Sequence, residues 1–215
     1  MASSRTSRQG WRALSVRCAV LLLAATPCAL PAVEAQHEPE LKSIVQQAID
    51  TAPCFADKYD SAVWFALQEP RLRKLVKDPA ERMLILETAY CEATRAGEQR
   101  LPMGLIMAVM DVESRFDRWA VSSAGAVGLM QVMPFWPEQL GMTRSDLNRI
   151  KANMQMGCAI LRHYLKREKN DWHKALARYN GSVGSRKYSD LVITRWTTRW
   201  HGADDLGLPN KAASR

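Results

Sequence analysis

Apolar residues recur along this chain at the three- and four-residue spacing of helices, and no alternating run is long enough to suggest a strand. Leu41, Ile44, Val45, Ala48 and Ile49 mark an amphipathic helix that Pro53 closes. A second helical segment begins near Asp57 to Asp60 and runs to Gln68 or Glu69, with Val63, Trp64 and Leu67 as its core positions; Pro70 then opens a short segment ending about Lys77. Asp78 followed by Pro79 is a strong helix start, because the Asp side chain accepts from orphan backbone donors and Pro brings no donor to satisfy. Met83, Leu84, Leu86, Glu87, Tyr90 and Cys91 carry that helix on to Gly97, a natural stop.

The next helix opens at Leu101-Pro102 and is apolar on nearly every side, through Leu105, Ile106, Met107, Ala108, Val109 and Met110, which implies burial all round. Its first acids are Asp111 and Glu113. Each continues an apolar stripe, so periodicity alone does not choose between them. A block from about Ser145 to Glu168 follows, with Leu147, Ile150, Met154, Cys158, Leu161 and Leu165 on its inward face and Gly157 allowing close helix approach. Trp172 to Tyr179 is a short helix, Asn180 to Gly184 a loop, and Lys187 to about Trp200 a last helix with Tyr188, Leu191, Val192, Arg195 and Trp196 in register. The pattern predicts an all-α protein.

The N-terminus changes what counts as the folded protein. Arg5, Arg8, Arg12 and Arg17 precede an apolar run from Cys18 to Leu30, and Val33 and Ala35 suit cleavage after Ala35, so residues 1–35 read as a secretory leader. The run is too short for a permanent membrane helix, and Pro27 before Cys28 argues against a lipid anchor. The formal charge of +8 shrinks once those arginines leave; the remaining excess favours an anionic partner, and without a basic stripe of interleaved aromatics it does not indicate nucleic acid.

Of five cysteines, Cys54, Cys91 and Cys158 lie beyond the leader. In an oxidising compartment one pair and one spare thiol is the simplest arrangement. Cys54 and Cys91 sit near the ends of neighbouring helical segments and Cys158 on an apolar face, which predicts a Cys54–Cys91 bridge worth roughly 3–4 kcal/mol, although the other two pairings stay open. His37, His163, His173 and His201 are too scattered, and the cysteines too widely spaced, for a metal site.

A carboxyl at the C-terminal end of a buried helix meets desolvation and the negative end of the helix dipole, and both raise its pKa. A proton held near neutrality is what a general acid needs. Position alone leaves a hydrogen-bonded structural glutamate as the simpler reading of Glu113.

The residues that follow alter that balance. Glu113-Ser114, then Ser122-Ser123 and Gly125-Ala126-Val127-Gly128-Leu129-Met130-Gln131, resemble the active-site signature of soluble lytic transglycosylases, relatives of goose-type lysozyme. Ala177-Arg178-Tyr179-Asn180-Gly181 resembles that family's second signature, in the family's order, and the likeness runs from about Leu101 to Trp196. Arg178, where a small residue is usual, and Ser182, where Gly is usual, depart from the pattern, and the extra carboxylate of some members has no counterpart that can be placed.

The resemblance implies a lysozyme-like, goose-type helical catalytic domain over residues 99–200, with residues 36–98 as a helical segment packed on it and 201–215 as a tail. It implies non-hydrolytic cleavage of the β-1,4 bond between N-acetylmuramic acid and N-acetylglucosamine, with Glu113 as the one general acid and base and no cofactor or metal. Ser122, Met130, Gln131, Tyr179 and Asn180 match positions that bind substrate, with the Tyr179 hydroxyl orienting Glu113 or the N-acetyl group. Gly125 and Gly128 would let the backbone pass close to substrate or helix. Asp111 reads as structural or rim-exposed, and Arg115, Phe116 and Trp119 as surface or packing residues. The implied partner is the peptidoglycan glycan strand, met in the periplasm by a monomer without a stable membrane anchor, with a cell-envelope protein as a further partner. A hydrolytic goose-type lysozyme and a non-enzymatic wall-binding or assembly factor are the alternatives.

Overall fold

A computed structural model describes residues 39–50, 58–95, 99–139 and 141–201. The expected leader, Cys54, the Gly97 stop and the tail beyond His201 lie outside the described residues. Within them the protein is helical: α1 (Pro39–Asp50), α2 (Lys58–Leu72), α3 (Pro79–Ala93), α4 (Met103–Glu113), α5 (Phe135–Gln139), α6 (Ile150–Arg167), α7 (Trp172–Asn180) and α8 (Lys187–Arg195). A 3-10 turn spans Arg144–Asn148, and a π-helical turn, Trp196–Trp200, prolongs α8. Isolated bridges join Val127 to Val121 and to Val132, and no longer strand occurs among the described residues. The all-α expectation therefore holds.

Two helices form the interior. α6 is buried from Asn153 through Arg162 and packs on α1, α3 and α7. α4 is buried from Met103 through Asp111 and packs on α3, α8 and the π-turn. Helices this apolar are stable only when surrounded, and the outer helices supply the surroundings. On α1, Leu41 and Val45 are buried as the stripe predicts.

A buried ion pair fixes the join between α3 and α6. Arg162 Nη1 lies 2.9 Å from Glu92 Oε2, with Glu92 1% and Arg162 4% exposed at the side chain. Arg162 also donates to the Glu92 and Gln99 carbonyl oxygens, so the charges are hydrogen-bonded as well as paired. Such a pair adds little net stability but makes the loss of either partner costly.

The structure corrects the reading of α2. Val63 and Leu67 are 67% and 39% exposed, and the inward stripe is Trp64, Gln68 and Leu72. Gln68 sits in an apolar row because its Nε2 donates to the carbonyls of Trp200 and His201, orphaned at the end of the last helix. α2 also runs through Pro70 instead of stopping before it. Pro70 is exposed in the final turn, where a carbonyl that loses its partner turns to water, and Glu69 pairs with Arg73 at 2.6 Å and Arg82 at 2.8 Å to hold the turn.

The block expected from Ser145 to Glu168 is broken at Arg149, whose backbone is extended. Asp146 causes the break by accepting the Thr143 backbone N–H at 2.8 Å, which closes a separate turn before α6 begins. The Asp78 start of α3 forms as expected, with Oδ1 accepting the Ala80 N–H at 2.7 Å.

Candidate functional site

α4 ends at Glu113, and the chain leaves it through Arg115 and Phe116, both at positive φ (54° and 65°). Non-glycine residues hold that conformation only where packing compels it. Phe116 is 5% exposed and stacks edge-on against Trp200 at 5.2 Å, which supplies the compulsion. The reversal leaves Glu113 at the head of a cleft of about 320 Å3.

Ser114 ties the helix end to the small-residue loop by donating to the Leu129 carbonyl at 2.8 Å. From the opposite side, Asn153 on α6 is 1% exposed and makes three contacts with the loops. Its Oδ1 accepts the Met130 N–H at 2.8 Å, and its Nδ2 donates to the carbonyls of Val127 (2.8 Å) and Leu147 (3.0 Å). Gly128 has φ 81°, and a Cβ there would stand 2.4 Å from Asn153 Nδ2 and 2.5 Å from the Leu147 carbonyl oxygen. Only glycine fits this approach. A side chain at Gly125, also at positive φ, would meet nothing within 4 Å.

Glu113, Ser122, Gln131, Tyr179 and Asn180 all line the cleft, joined by Phe135, Trp136, Ile160, Tyr164 and Arg178 among others. Met130 does not line it. Its side chain is fully buried, with the sulfur 2.6 Å from where a Cβ on Gly157 would stand and 3.8 Å from Cys158 Sγ. Cys158 is itself a buried thiol outside any disulfide, and the expected bridge falls on Cys54, outside the described residues.

Tyr179 and Tyr188 divide the work around the acid differently from the expectation. Tyr179 donates its hydroxyl to the Met130 carbonyl at 2.7 Å, so it braces the loop. The hydroxyl that reaches the acid is that of Tyr188, 2.5 Å from Glu113 Oε1. Tyr188 was legible only as one member of the inward stripe of α8. A phenol on a buried stripe needs a hydrogen-bond partner, which is the sole signal the sequence offered. Asn153 left no signal beyond a polar residue amid an apolar face.

Burial pushes the Glu113 carboxyl up from 4.5 to about 7, against the Tyr188 hydrogen bond, which pulls it down. Burial and the Glu113 charge raise both phenols well above their usual range, so they stay protonated as donors. Among the described residues that line the cleft, Glu113 is the one carboxylate. Asp111, two residues away, is 5% exposed and faces elsewhere, accepting from Trp200 Nε1 at 2.9 Å and Arg199 Nη1 at 3.2 Å. Asp117 caps its own turn through the Trp119 N–H. The described residues contain no cluster of His, Cys, Asp or Glu able to hold a metal ion, and no described helix is long and apolar enough to cross a membrane.

Gln131, at φ 50°, spends its amide on the carbonyls of Gly128 (3.0 Å) and Ala120 (3.2 Å). Ser122 Oγ accepts the Ala126 N–H at 3.0 Å. Arg178, the departure from the second signature, lies in the cleft wall and is paired with Glu168.

Residues 91–190 match the family described as Transglycosylase SLT domain. Two solved structures are similar to the chain. One is the 70 kDa soluble lytic transglycosylase of Escherichia coli, at 16% identity and a TM-score of 0.45, covering 72% of this chain and 32% of that one. The other is an inactive mutant of the lytic transglycosylase Slt of Pseudomonas aeruginosa, at 22% identity and a TM-score of 0.40, covering 63% of this chain and 26% of that one. The chain thus spans about a third of the first protein's length and about a quarter of the second's.

Proposed function

With residues 91–190 matching a transglycosylase SLT domain, the chain takes its place in the soluble lytic transglycosylase family, and we propose that it is an exported enzyme that cleaves peptidoglycan without water. The observation that carries this reading is the one carboxyl among the described residues of the cleft, Glu113, held by Tyr188 and titrating at about 7. A group half protonated near neutrality can give a proton and take one back in a single turnover.

Glu113 donates its proton to the glycosidic oxygen as the bond from the muramoyl anomeric carbon breaks, releasing the 4-hydroxyl of N-acetylglucosamine. The substrate's own N-acetyl carbonyl oxygen bonds to the anomeric carbon and takes the place of a protein nucleophile. The Glu113 carboxylate then accepts the proton of the muramoyl 6-hydroxyl, whose oxygen closes on that carbon and expels the acetamido oxygen. The product is a 1,6-anhydromuramoyl end, and Glu113 is again protonated. Where a two-carboxylate glycosidase needs a second acid residue, this route uses groups of the substrate, and holding the 6-hydroxyl in place replaces a bimolecular attack.

Tyr188 keeps the acid aimed throughout. The donors of the Gln131 amide are engaged with backbone, so its contact with sugar would run through Oε1 as an acceptor. Ser122 and Asn180 would bind sugar hydroxyls or the N-acetyl group from the cleft walls, and Tyr179 and Met130 would shape the site through the loop they hold. Residues 36–98 would act as a scaffold for the domain over 99–200, the leader and a Cys54–Cys91 bridge would suit a periplasmic monomer, and the basic excess would favour the anionic wall. Digesting purified sacculi and weighing the products tests the reading: anhydro ends support it, reducing ends alone make the protein a hydrolase, and binding without release of fragments makes it a wall-binding factor.

A further inference from the structure

Trp119 is 60% exposed, unusual for a residue that is normally well covered. It is nevertheless held in place. The Arg118 guanidinium lies 4.3 Å from its ring centroid, covering one face. Arg118 is in turn fixed by an ion pair with Glu81 of α3 at 2.9 Å and a contact with the Asn148 carbonyl at 3.4 Å. The Trp119 backbone N–H donates to Asp117 Oδ1 at 2.8 Å. The indole therefore presents an open surface whose orientation is set from behind.

The indole is tied to the cleft wall through the backbone between them. Two residues, Ala120 and Val121, separate Trp119 from Ser122 in the cleft wall, and the Ala120 carbonyl accepts from Gly128 at 2.9 Å and from Gln131 of the cleft at 3.2 Å. Val121, bridged to Val127, is 58% exposed and extends the apolar ground between them. The cleft, at about 320 Å3, is near the small end of ligand pockets and can take only a short segment of a polymer. A longer strand must leave over the edge of the cleft, and Trp119 is an exposed aromatic three positions along the chain from Ser122 of the cleft wall.

We propose that Trp119 forms an outer glycan subsite, stacking on the C–H face of a β-linked N-acetylhexosamine of the strand that extends out of the cleft past Ser122. A pyranose face is apolar and flat enough to cover an indole, and burying the two against each other is favourable in water. The subsite rests on the reading of the cleft as a peptidoglycan site. It would make binding depend on strand length without any change at Glu113.

The test uses the full chain with Glu113→Gln, which binds without turnover, and peptide-free peptidoglycan glycan strands fractionated by length, with affinity measured by calorimetry. Adding Trp119→Ala should weaken long strands about ten-fold, the scale of one uncovered aromatic face, and leave strands that fill only the cleft unchanged. Trp119→Tyr should keep most of the long-strand affinity, which separates loss of stacking from damage to the loop. Equal affinity for long strands with and without the indole, or an equal loss at both lengths, overturns the subsite while leaving the cleft assignment standing. Failure of the Glu113→Gln protein to bind any strand overturns the cleft assignment and the subsite together.

Discussion

Replacing Glu113 by Gln removes a titrating group from the cleft and leaves an acceptor of nearly the same shape for the Tyr188 hydroxyl. In the wild type this carboxyl ionises near 4.5 in the unfolded chain and at about 7 in the folded one. Between those values the native protein keeps a proton that the unfolded chain has released. The native state therefore binds more protons, and stability falls as pH rises through the window, levelling off above about 7. At about 1.4 kcal/mol per pH unit, the buried carboxylate costs the fold about 3 kcal/mol once ionised. Glu113→Gln and the wild type should match in stability below pH 4.5, and the variant should be more stable by about that amount at pH 8. Urea unfolding followed by circular dichroism, across pH 4 to 8 on both proteins, measures the difference, and every other titrating group cancels in it. A difference that stays flat with pH refutes the claim that burial raises this carboxyl, and a wild type that gains on the variant as pH rises refutes its sign.

The same site makes a kinetic prediction. Tyr188→Phe removes the hydrogen bond that pulls the Glu113 pKa down, so the alkaline limb of kcat/KM should move above its wild-type position near pH 7. Its maximum should also drop by roughly ten- to a hundred-fold as the acid loses its orientation. Steady-state rates on sacculi across pH check both, and an unmoved limb would show that the phenol does not act on the acid. Gly128→Ala, forced to positive φ with its Cβ against Asn153 and the Leu147 carbonyl, should cost about 1–3 kcal/mol or more and displace the Gln131 loop, read by denaturant unfolding. Asn153→Ala should cost about 2–3 kcal/mol by taking the side-chain partner from the Met130 N–H and the Leu147 carbonyl, while the Val127 carbonyl keeps the Val132 N–H. Arg162→Met leaves the buried Glu92 carboxylate with Arg95 as its remaining partner and should destabilise by about 1–3 kcal/mol, read by denaturant unfolding.

What could be read in the sequence was what is encoded locally. The apolar surround of α4 and the small residues after Glu113 predicted a buried helix running into a tight loop, because both depend on residues that are neighbours in the chain. The Asp78-Pro79 start of α3 was legible for the same reason. Gln68 shows where such reading stops: it occupies a core position that hydropathy awards to Val63 and Leu67, because its partners are carbonyls at the far end of the chain. Tyr188 and Asn153 were hidden in the same way. Each sits on a helix stripe whose register is plain, while the atom it serves is fixed by how distant helices dock. Met130 matched a substrate-binding position, but its side chain packs into the Gly157 gap on α6 and lies in the core.

The central claim is that one carboxyl, Glu113, breaks the glycan strand by an internal reaction of the substrate. Mass spectrometry of the fragments released from purified sacculi by the wild type and by Glu113→Gln tests it most directly. Muramoyl ends lighter by one water, as 1,6-anhydro sugars, are expected from the wild type and no fragments from the variant. Reducing muramoyl ends, or fragments still released by Glu113→Gln, would contradict it.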